Sequence, residues 1–471
     1  MSDSRPHVVI IGAGFAGIAA AQRLANENVR ITIIDRQNFH LFQPLLYQVS
    51  TSVLATDEIA YPIRSFFRNN DNVELFMAKA TGFDPARNIV ETNHGDVHYD
   101  YLVIASGATT NFFGMANVEK YSYGMKTLQE ALHIRNHTLH MFERANKMED
   151  SAEERRKMLT FICVGGGPTG VEEAGALCEL IDIQRHEFHN LDFNEVQVIL
   201  IEATDKVLPM MPEELRNYTV KTLEKKGVKV MLNTQVADCD ADGLILKDGT
   251  RIPSKTVIWA AGVRAHIIAS RLGTECDRGG RVVVNKDLRV PGFDNIFAIG
   301  DCACFVPGEG QRPLPTIAPV ATQGAQVAGD NIMKLIRGEK TLDVFHYHDK
   351  GSMATIGRCE AVCNVGPFKT GFMAWCAWMF IHILRLEGFY TNITVLLKWG
   401  WNLFTGVRLG RLITNIDLSD AARREQNEPE KVAIEKAEAA NKAAEEAALA
   451  AKKAQEAAIA AAAAAAELNK K

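Results

Sequence analysis

The sequence contains no two cysteines at Cys-x-x-Cys spacing, although it has nine cysteines among its 471 residues. The sequence therefore has no obvious pair of cysteines for the dithiol chemistry of disulfide reductases. The irregular spacing of the cysteines shows no disulfide framework and no zinc pattern, so we predict reduced thiols, a cytoplasmic setting and no metal site. An excess of positive charge is absent too: the net charge of −5 at pH 7 gives no support for a nucleic-acid partner.

Long hydrophobic runs are scarce as well. The most apolar segment, residues 372–384, has thirteen residues, whereas a helix needs about 20 to cross a bilayer, so we expect no transmembrane anchor. The first apolar strand begins near Val8, which leaves no room for a signal peptide. We therefore expect the folded body to stay on the side of the membrane where it is made.

A glycine-rich motif, GAGFAG at residues 12–17, lies between a strand predicted at 7–12 and a helix predicted at about 14–26. In such a turn the first glycine permits a tight bend, the second lets the backbone approach a pyrophosphate, and the third lets the helix pack closely on the sheet. An acid ends the next strand, predicted at 30–35, where it can bind a ribose hydroxyl. The predicted cofactor-binding residues are Gly12, Gly14, Phe15, Ala16, Gly17 and Asp35.

The same pattern returns as GGGPTG at residues 165–170, after the apolar strand 159–164. Gly165, Gly167 and Gly170 repeat the three glycines, and Glu202 follows the strand 196–201. A carboxylate there accepts a hydrogen bond from a ribose 2′-hydroxyl and repels a 2′-phosphate, so we predict NADH rather than NADPH, although Lys206 lies near enough to reach a phosphate. Two such motifs in one chain imply two dinucleotides.

Two other strands end in small residues, which let the chain cross closely beneath a cofactor. The first crossing contains Gly107, and the second contains Ala261 and Gly262. A third apolar run, 295–299, is followed by Gly300 and Asp301. Because ligands bind at the carboxyl ends of parallel strands, we predict that Asp301 binds the ribityl hydroxyls of a flavin, the alternative being an ordinary turn or N-cap aspartate.

The fold class predicted is α/β, with two Rossmann-like dinucleotide-binding domains, one inserted in the other, and a C-terminal membrane-associating helical region. The predicted FAD domain comprises residues 1–125 and 289–345, including a helix near 321–334. The NADH domain, 126–288, begins with a charged helical segment at 127–158. We expect residues 346–418 to form the membrane-surface region, with a β-like segment at 345–367, and residues 419–471, rich in Ala, Glu and Lys, to form a helical or disordered tail.

Residues 371–406 contain four of the five tryptophans. Aromatic and basic residues mixed in this way are typical of helices that lie in a membrane interface, and the alternative is a dimer interface or a pair of core helices. The residues concerned are Trp375, Trp378, Phe380, Ile381, Leu384, Phe389, Trp399, Trp401 and Phe404, with Arg385, Lys398 and Arg408.

Taken together, these motifs closely resemble those of the type II NADH:quinone oxidoreductases, the single-subunit, non-proton-pumping NADH dehydrogenases. The resemblance covers residues 7 to about 415 and is carried by segments 12–17, 42–49, 165–172, 297–301 and 350–358. It implies non-covalent FAD, NADH as donor, a membrane quinone as acceptor at the region 346–418 and monotopic attachment to the cytoplasmic face of the cell membrane; a homodimer stays open. In the loop FQPLLYQV it implies cofactor contacts by Gln43, Pro44 and Leu45.

The resemblance also implies two catalytic residues. The family's quinone motif Ala-Gln-x-Ala-x-Gln corresponds here to APVATQ at 318–323. Gln323 is kept, but Pro319 replaces the first glutamine. Which residues hydrogen-bond the quinone head group therefore stays open. Gln323 and the backbone of Ala321 are expected near the isoalloxazine. Glu172, placed in the first turn of its helix, is expected to contact NADH and relay protons, the other explanation being a carboxylate that satisfies the helix dipole.

Two other functions stay open at this point. A sulfide:quinone oxidoreductase would use cysteines such as Cys163, Cys359 and Cys363 but no nicotinamide. A redox sensor would bind the nucleotide without flavin turnover. The segment 238–243 looks like half of a calcium loop, but position 249 is glycine where a glutamate ligand is required, so we predict a hairpin turn.

Overall fold

The computed structural model describes residues 4–147 and 151–414. The predicted tail at 419–471 lies outside them. The helices within these ranges are α1 Phe15–Leu24, α2 Leu46–Ser50, α3 Ile63–Phe66, α4 Ala116–Tyr121, α5 Leu128–Lys147, α6 Ala152–Met158, α7 Pro168–Gln184, α8 Glu213–Lys225, α9 Ala318–Ile336, α10 Gly371–Ile383 and α11 Phe389–Thr405.

The strands of the first half are β1 His7–Ile11, β2 Arg30–Asp35, β3 Phe39–Leu41, β4 Ala60–Pro62, β5 Val73–Met77, β6 Ala80–Asp84, β7 Ile89–Thr92, β8 Val97–His98, β9 Tyr101–Ile104, β10 Ala108–Thr110, β11 Tyr123–Gly124 and β12 Thr160–Val164. Those of the second half are β13 Gln197–Ile201, β14 Val228–Met231, β15 Val236–Asp240, β16 Gly243–Leu246, β17 Arg251–Pro253, β18 Thr256–Trp259, β19 Val263–Ala265, β20 Val282–Val283, β21 Ile296–Ala298, β22 Ala303–Cys304, β23 Met353–Gly357 and β24 Glu360–Cys363.

Two five-stranded sheets repeat one arrangement. The first has the order β21-β9-β1-β2-β5 and the second the order β11-β18-β12-β13-β14, and all pairs in both are parallel. In each sheet the central strand leads into a glycine-rich motif. Strands β1 and β12 are fully buried, as expected for parallel sheets covered on both faces. The predicted α/β class with two Rossmann-like cores is confirmed.

The packing differs in detail from the predicted domain boundaries. Strand β11, at Tyr123–Gly124, pairs with β18 of the second sheet although it precedes residue 126. Conversely, Ala265 and Ala269 pack in the core of the first sheet although they precede residue 289. The chain therefore passes between the two units at the short antiparallel pair β10–β19.

The C-terminal hairpin β23–β24 lies directly on helix α7. A Cβ added at Gly175 of α7 would overlap the carbonyl oxygen of Ile356, so this close approach requires glycine. Helices α10 and α11 follow the hairpin. The hairpin predicted in place of a calcium loop is also confirmed, because β15 and β16 pair antiparallel around residues 241–242.

Only some of the aromatic residues in the region 371–406 are exposed at the surface. Trp375, Trp378 and Trp399 are buried, with at most 8% of each side chain exposed, whereas Trp401 is 56% exposed. Arg408 is buried as well and donates to Oε2 of Glu179 at 2.7 Å. The inward side of this region therefore packs as a pair of core helices would, and the buried cation has the partner that it requires inside the protein.

Candidate active site

The first glycine motif lies at the carboxyl end of β1, where β9 ends beside it. A Cβ at Gly12, which has φ +98°, would overlap the carbonyl oxygen of Ala105, and a Cβ at Gly17 would overlap that of Gly12. At Gly14, by contrast, an added Cβ meets nothing within 4 Å. Close packing thus requires glycine at positions 12 and 17, whereas Gly14 faces the open space that a pyrophosphate needs.

The second motif reproduces this geometry. A Cβ at Gly165, with φ +115°, would overlap the carbonyl oxygen of Ala260, and one at Gly170 would overlap that of Gly165. Gly167 again faces open space, with nothing within 4 Å. The chain therefore offers two equivalent cradles, each at the N-terminus of a helix, and both fit a dinucleotide.

The predicted acids occupy the ends of the strands beside these cradles. The carboxylate of Asp35 accepts from the backbone N–H of Ala13 at 2.6 Å, and that of Glu202 accepts from the N–H of Gly166 at 2.6 Å. Burial raises the pKa of Asp35. Lys206 lies 3.7 Å from the neighbouring carboxylate of Asp205, which gives its charge a partner other than a 2′-phosphate. Both acids therefore hold the glycine turn and are placed for a ribose.

The crossings predicted beneath the cofactors lie at the same sheet edges. Gly107 has φ +68° and Gly262 has φ +154°, so the backbone of any other residue would be strained at either position. Ala261 approaches Gly165, whose added Cβ would lie 2.7 Å from the Ala261 Cα. Each crossing therefore runs next to its glycine motif, as a small-residue strand end allows.

Four distant segments meet at the N-terminus of α9. A Cβ at Gly300, with φ +71°, would lie 2.9 Å from the Cβ of Ala16 and 3.5 Å from that of Ala321. Beside them the carboxylate of Asp301 pairs with Nζ of Lys126 at 3.2 Å. Gln43 donates through Nε2 to the carbonyl oxygen of Lys126 at 3.3 Å. Pro44 and the buried Leu45 continue the short 3-10 helix 43–45.

Lys126 was missed by sequence reasoning. It belongs to no motif, and its relation to Asp301 spans 175 residues, which no local pattern reveals. Its neighbours are well fixed, because Glu130 accepts the backbone N–H groups of Lys126 and Thr127 at 2.8 and 2.7 Å. The ion pair is partly buried and links the predicted flavin aspartate to the start of α5.

The side-chain amide of Gln323 is hydrogen-bonded within the protein. Its Nε2 donates to the carbonyl oxygen of His348 at 3.1 Å, and its Oε1 accepts from the N–H of His348 at 3.0 Å. Both ends of the amide thus hold the backbone of one residue, His348, just before the hairpin β23–β24. Ala321, two residues earlier, is the residue of α9 that approaches Gly300.

Glu172 and Glu173 are buried in α7, with 8% and 0% of their side chains exposed. The helix begins at Pro168, so they lie in its second turn, and the placement in the first turn is wrong because proline at the first helical position starts the helix earlier. Glu172 accepts from the N–H of Thr355 at 3.3 Å, and Glu173 accepts from the Ser50 hydroxyl at 2.7 Å. Burial raises the pKa of each carboxyl to about 8.

Two of the three cysteines of the sulfide alternative, Cys163 and Cys359, have environments that disfavour the thiolate. Cys163 is fully buried in β12, and burial raises the pKa of its thiol well above the ordinary value. Burial raises the pKa of Cys359 as well. Cys363 is buried in β24, and all three are free thiols. Because the thiolate is the reactive form, this environment disfavours cysteine chemistry.

Comparison with known proteins agrees with this geometry. The family model of the pyridine nucleotide-disulphide oxidoreductases matches residues 6–325. A type II NADH:quinone oxidoreductase of Mycobacterium tuberculosis is 40% identical over 439 residues, which cover 90% of this chain and 93% of the relative. The Staphylococcus aureus enzyme of that name is 33% identical over 374 residues, 77% of this chain and 90% of the relative.

The fold has a solved counterpart in NDH2 from Plasmodium falciparum in complex with NADH. Its TM-score is 0.79 at 20% identity, and the match covers 87% of this chain and 100% of that chain. This likeness concerns the fold, whereas the curated relatives carry the sequence argument. On those grounds the chain belongs to the pyridine nucleotide-disulphide oxidoreductases and, within them, to the type II NADH:quinone oxidoreductases.

Proposed function

We propose that this protein is a peripheral membrane enzyme in which Glu172 handles a proton while NADH reduces a quinone. The overall reaction is that of the family: NADH, a proton and a quinone give NAD⁺ and a quinol. The observation that carries the assignment is the pair of equivalent dinucleotide cradles in one chain, one for each nucleotide. FAD, when bound, accepts the hydride of NADH and passes two electrons to the quinone.

The first cradle is the one that fits FAD. The turn 12–17 would hold the pyrophosphate, Asp35 the ribose, and Asp301 the ribityl chain, because Asp301 lies where Gly300 packs between Ala16 and Ala321. Lys126 fixes the Asp301 carboxylate. The second cradle, with Glu202, would hold NADH and favour it over NADPH.

Glu172 is suited to hold and release a proton. A carboxyl whose pKa is raised to about 8 carries its proton at neutral pH and exchanges it within the working range of a general acid–base group. Gln323 contributes by positioning: it anchors the peptide of His348 next to α9, on the side where the quinone motif lies. Pro319, in the first turn of α9, offers no side-chain hydrogen bond to the quinone.

Helix α11 presents an apolar face, which we assign to the membrane surface. Its outward residues are each at least 42% exposed, while Val395 and Trp399 on the opposite side are buried. An amphipathic helix of this kind lies in the interface of a bilayer. The residues of the apolar face are Phe389, Tyr390, Ile393, Leu396, Leu397, Trp401 and Phe404. Phe380 of α10 and Leu384, which directly follows α10, are exposed as well.

Every helix among the described residues is too short or too polar to span a bilayer. Quinones dissolve in the membrane, so a surface-bound enzyme reaches its acceptor without spanning the bilayer. We assign the attachment to the cytoplasmic face, where NADH is found. Lys398 forms an ion pair with Glu58 at 2.7 Å, and Arg385, between α10 and α11, is an exposed basic residue.

Anaerobic mixing of the purified holoenzyme tests the function. NADH should bleach the flavin absorbance within the turnover time and a soluble quinone should restore it, whereas sulfide should leave the absorbance unchanged. Bleaching by sulfide and not by NADH would overturn the assignment. Very slow, quinone-independent oxidation of NADH would instead indicate a sensor.

The variant Glu172→Gln tests the proton role. We expect normal FAD content but a lower turnover number, since glutamine keeps the shape and loses the titrating proton. The matched control is Glu360→Gln, which changes a carboxyl of β24, in the hairpin that packs on α7, and this carboxyl accepts from Tyr218 at 2.5 Å. Equal turnover in both variants and the wild type would remove Glu172 from the mechanism.

A further inference from the structure

We propose that Tyr47 and Gln48 of α2 are positioning residues that connect helix α11 to Glu172 through a continuous chain of hydrogen bonds. The inference rests on the catalytic role proposed for Glu172. The chain begins at Trp399 of α11, passes through both residues of α2, and reaches Glu172 through Thr355 of β23.

Chemistry fixes the donors of the first two hydrogen bonds in this chain. An indole N–H can only donate, so Oε1 of Gln48 must be the atom that accepts from Trp399, at 2.7 Å. Nε2 of Gln48 then points to the Tyr47 hydroxyl and donates to its oxygen at 3.0 Å. The Tyr47 hydroxyl then lies 2.9 Å from Oγ1 of Thr355, a hydroxyl pair in which either group can donate. The first two links therefore have a fixed direction, and the third joins the tyrosine to β23.

The last link is made by the backbone. The N–H of Thr355 donates to Oε1 of Glu172 at 3.3 Å, a long bond that depends on where β23 lies above α7. The Tyr47 hydroxyl holds the side chain of that same threonine. The chain therefore acts on Glu172 by placing one N–H group, and it carries no proton to the carboxylate.

The chain lies wholly in the interior. Tyr47, Gln48, Thr355 and Trp399 have at most 6% of their side chains exposed, and Trp399 packs on the ring of Trp378 at 5.7 Å between centroids. Polar groups at such depth are costly unless each has a partner, so a satisfied chain defines one arrangement of its elements. An apolar core would stabilise the fold without this directional order.

The ionisable groups around Glu172 come from several elements. Tyr47 faces it from α2, and burial together with the charge of Glu172 raises the pKa of the tyrosine. Glu173 and Glu179 lie on α7 itself. Arg408, from the segment after α11, donates to Glu179 at 2.7 Å and to the carbonyl oxygen of Thr51, just after α2, at 2.8 Å.

The test is the variant Tyr47→Phe, which removes one hydroxyl from the chain. Stopped-flow reduction of the holoenzyme flavin by NADH should slow about 5- to 10-fold, the equivalent of one lost hydrogen bond, while reoxidation by a soluble quinone should be unchanged. The pH profile of flavin reduction should shift to a higher apparent pKa, because a weakened Thr355 N–H bond no longer favours the ionised carboxyl. A merely structural role would not move that profile.

Two further variants complete the design. Gln48→Met breaks the chain one link earlier and should shift the profile in the same direction, which also covers the case of a poorly folded Tyr47→Phe protein. Tyr218→Phe is the matched control, because it removes a tyrosine hydroxyl that contacts β24 of the same hairpin outside the chain, and it should leave the profile unchanged.

The outcomes separate the two proposals. In a Glu172→Gln background, Tyr47→Phe should have no further effect on flavin reduction. A wild-type rate and profile for Tyr47→Phe and Gln48→Met would overturn the positioning role and leave Glu172 in place. Wild-type behaviour of Glu172→Gln would overturn the role of Glu172, and the positioning role with it.

Discussion

Replacing Leu397 and Phe404 with serine is expected to release the protein from membranes. The two side chains are 68% and 87% exposed and lie two turns apart on the apolar face of α11. Full burial of such a side chain contributes about 1.5–3 kcal/mol. Scaled by these exposures, insertion of the pair contributes about 3.5 kcal/mol, which corresponds to about a 300-fold change in partition coefficient.

The assay is sedimentation with extruded vesicles of phosphatidylethanolamine and phosphatidylglycerol, with the bound fraction followed against lipid concentration. The matched control replaces Met77 and Met210, which are 57% and 73% exposed on the two nucleotide-binding units, with serine. The control should bind like the wild type, and both double variants should keep their FAD. Wild-type binding by the Leu397/Phe404 variant would refute the assignment, and conversion of a dimer to a monomer with unchanged binding would make this face a dimer interface.

Three other predictions concern the cradles and the buried acids. Gly17→Ala should destabilise the fold, because its Cβ overlaps the carbonyl oxygen of Gly12, whereas Gly14→Ala should fold and lose FAD, because its Cβ meets only the open cradle; thermal unfolding and the ratio of FAD to protein separate the two. Glu202→Ala should raise kcat/KM for NADPH relative to NADH by about tenfold, since the repulsion of a 2′-phosphate is removed; unchanged preference would contradict that role. Burial raises the pKa of Glu173 from 4.5 to about 8, so the folded state binds the extra proton and stability falls as pH rises between these values. Glu173→Gln should flatten the fall in Tm across that window, and an equally steep fall would contradict the assignment.

Much of the nucleotide-binding architecture could be predicted from the sequence because its rules are local. The tight turn at Gly12 and the close packing at Gly17 follow from a spacing of a few residues, and the same holds for the second motif. The strand predicted at 30–35 is observed at Arg30–Asp35. Such features depend on backbone conformation and on the pattern of apolar residues, both of which can be read within one segment.

The environment of the catalytic candidates could not be predicted in this way. Glu172 meets Thr355 across 183 residues, and Gln323 meets His348 across 25. The aromatic composition of α10 and α11 indicated a surface, but it could not show which tryptophans face inward. Only the packing of β23 on α7, of α11 on α2 and of the segment around His348 on α9 decides these contacts.

The sequence by itself thus determined two dinucleotide cradles, their acids and the aromatic C-terminal helices, because each rests on short spacing and on residue type. The tertiary structure decided which groups are withdrawn from water and which partners they meet there. Burial sets the protonation of Glu172 and Glu173, places Arg408 in an internal ion pair with Glu179, and orients Gln48 between Trp399 and Tyr47. Desolvation and hydrogen-bond direction depend on neighbours far apart in the chain, so only the folded arrangement could fix them.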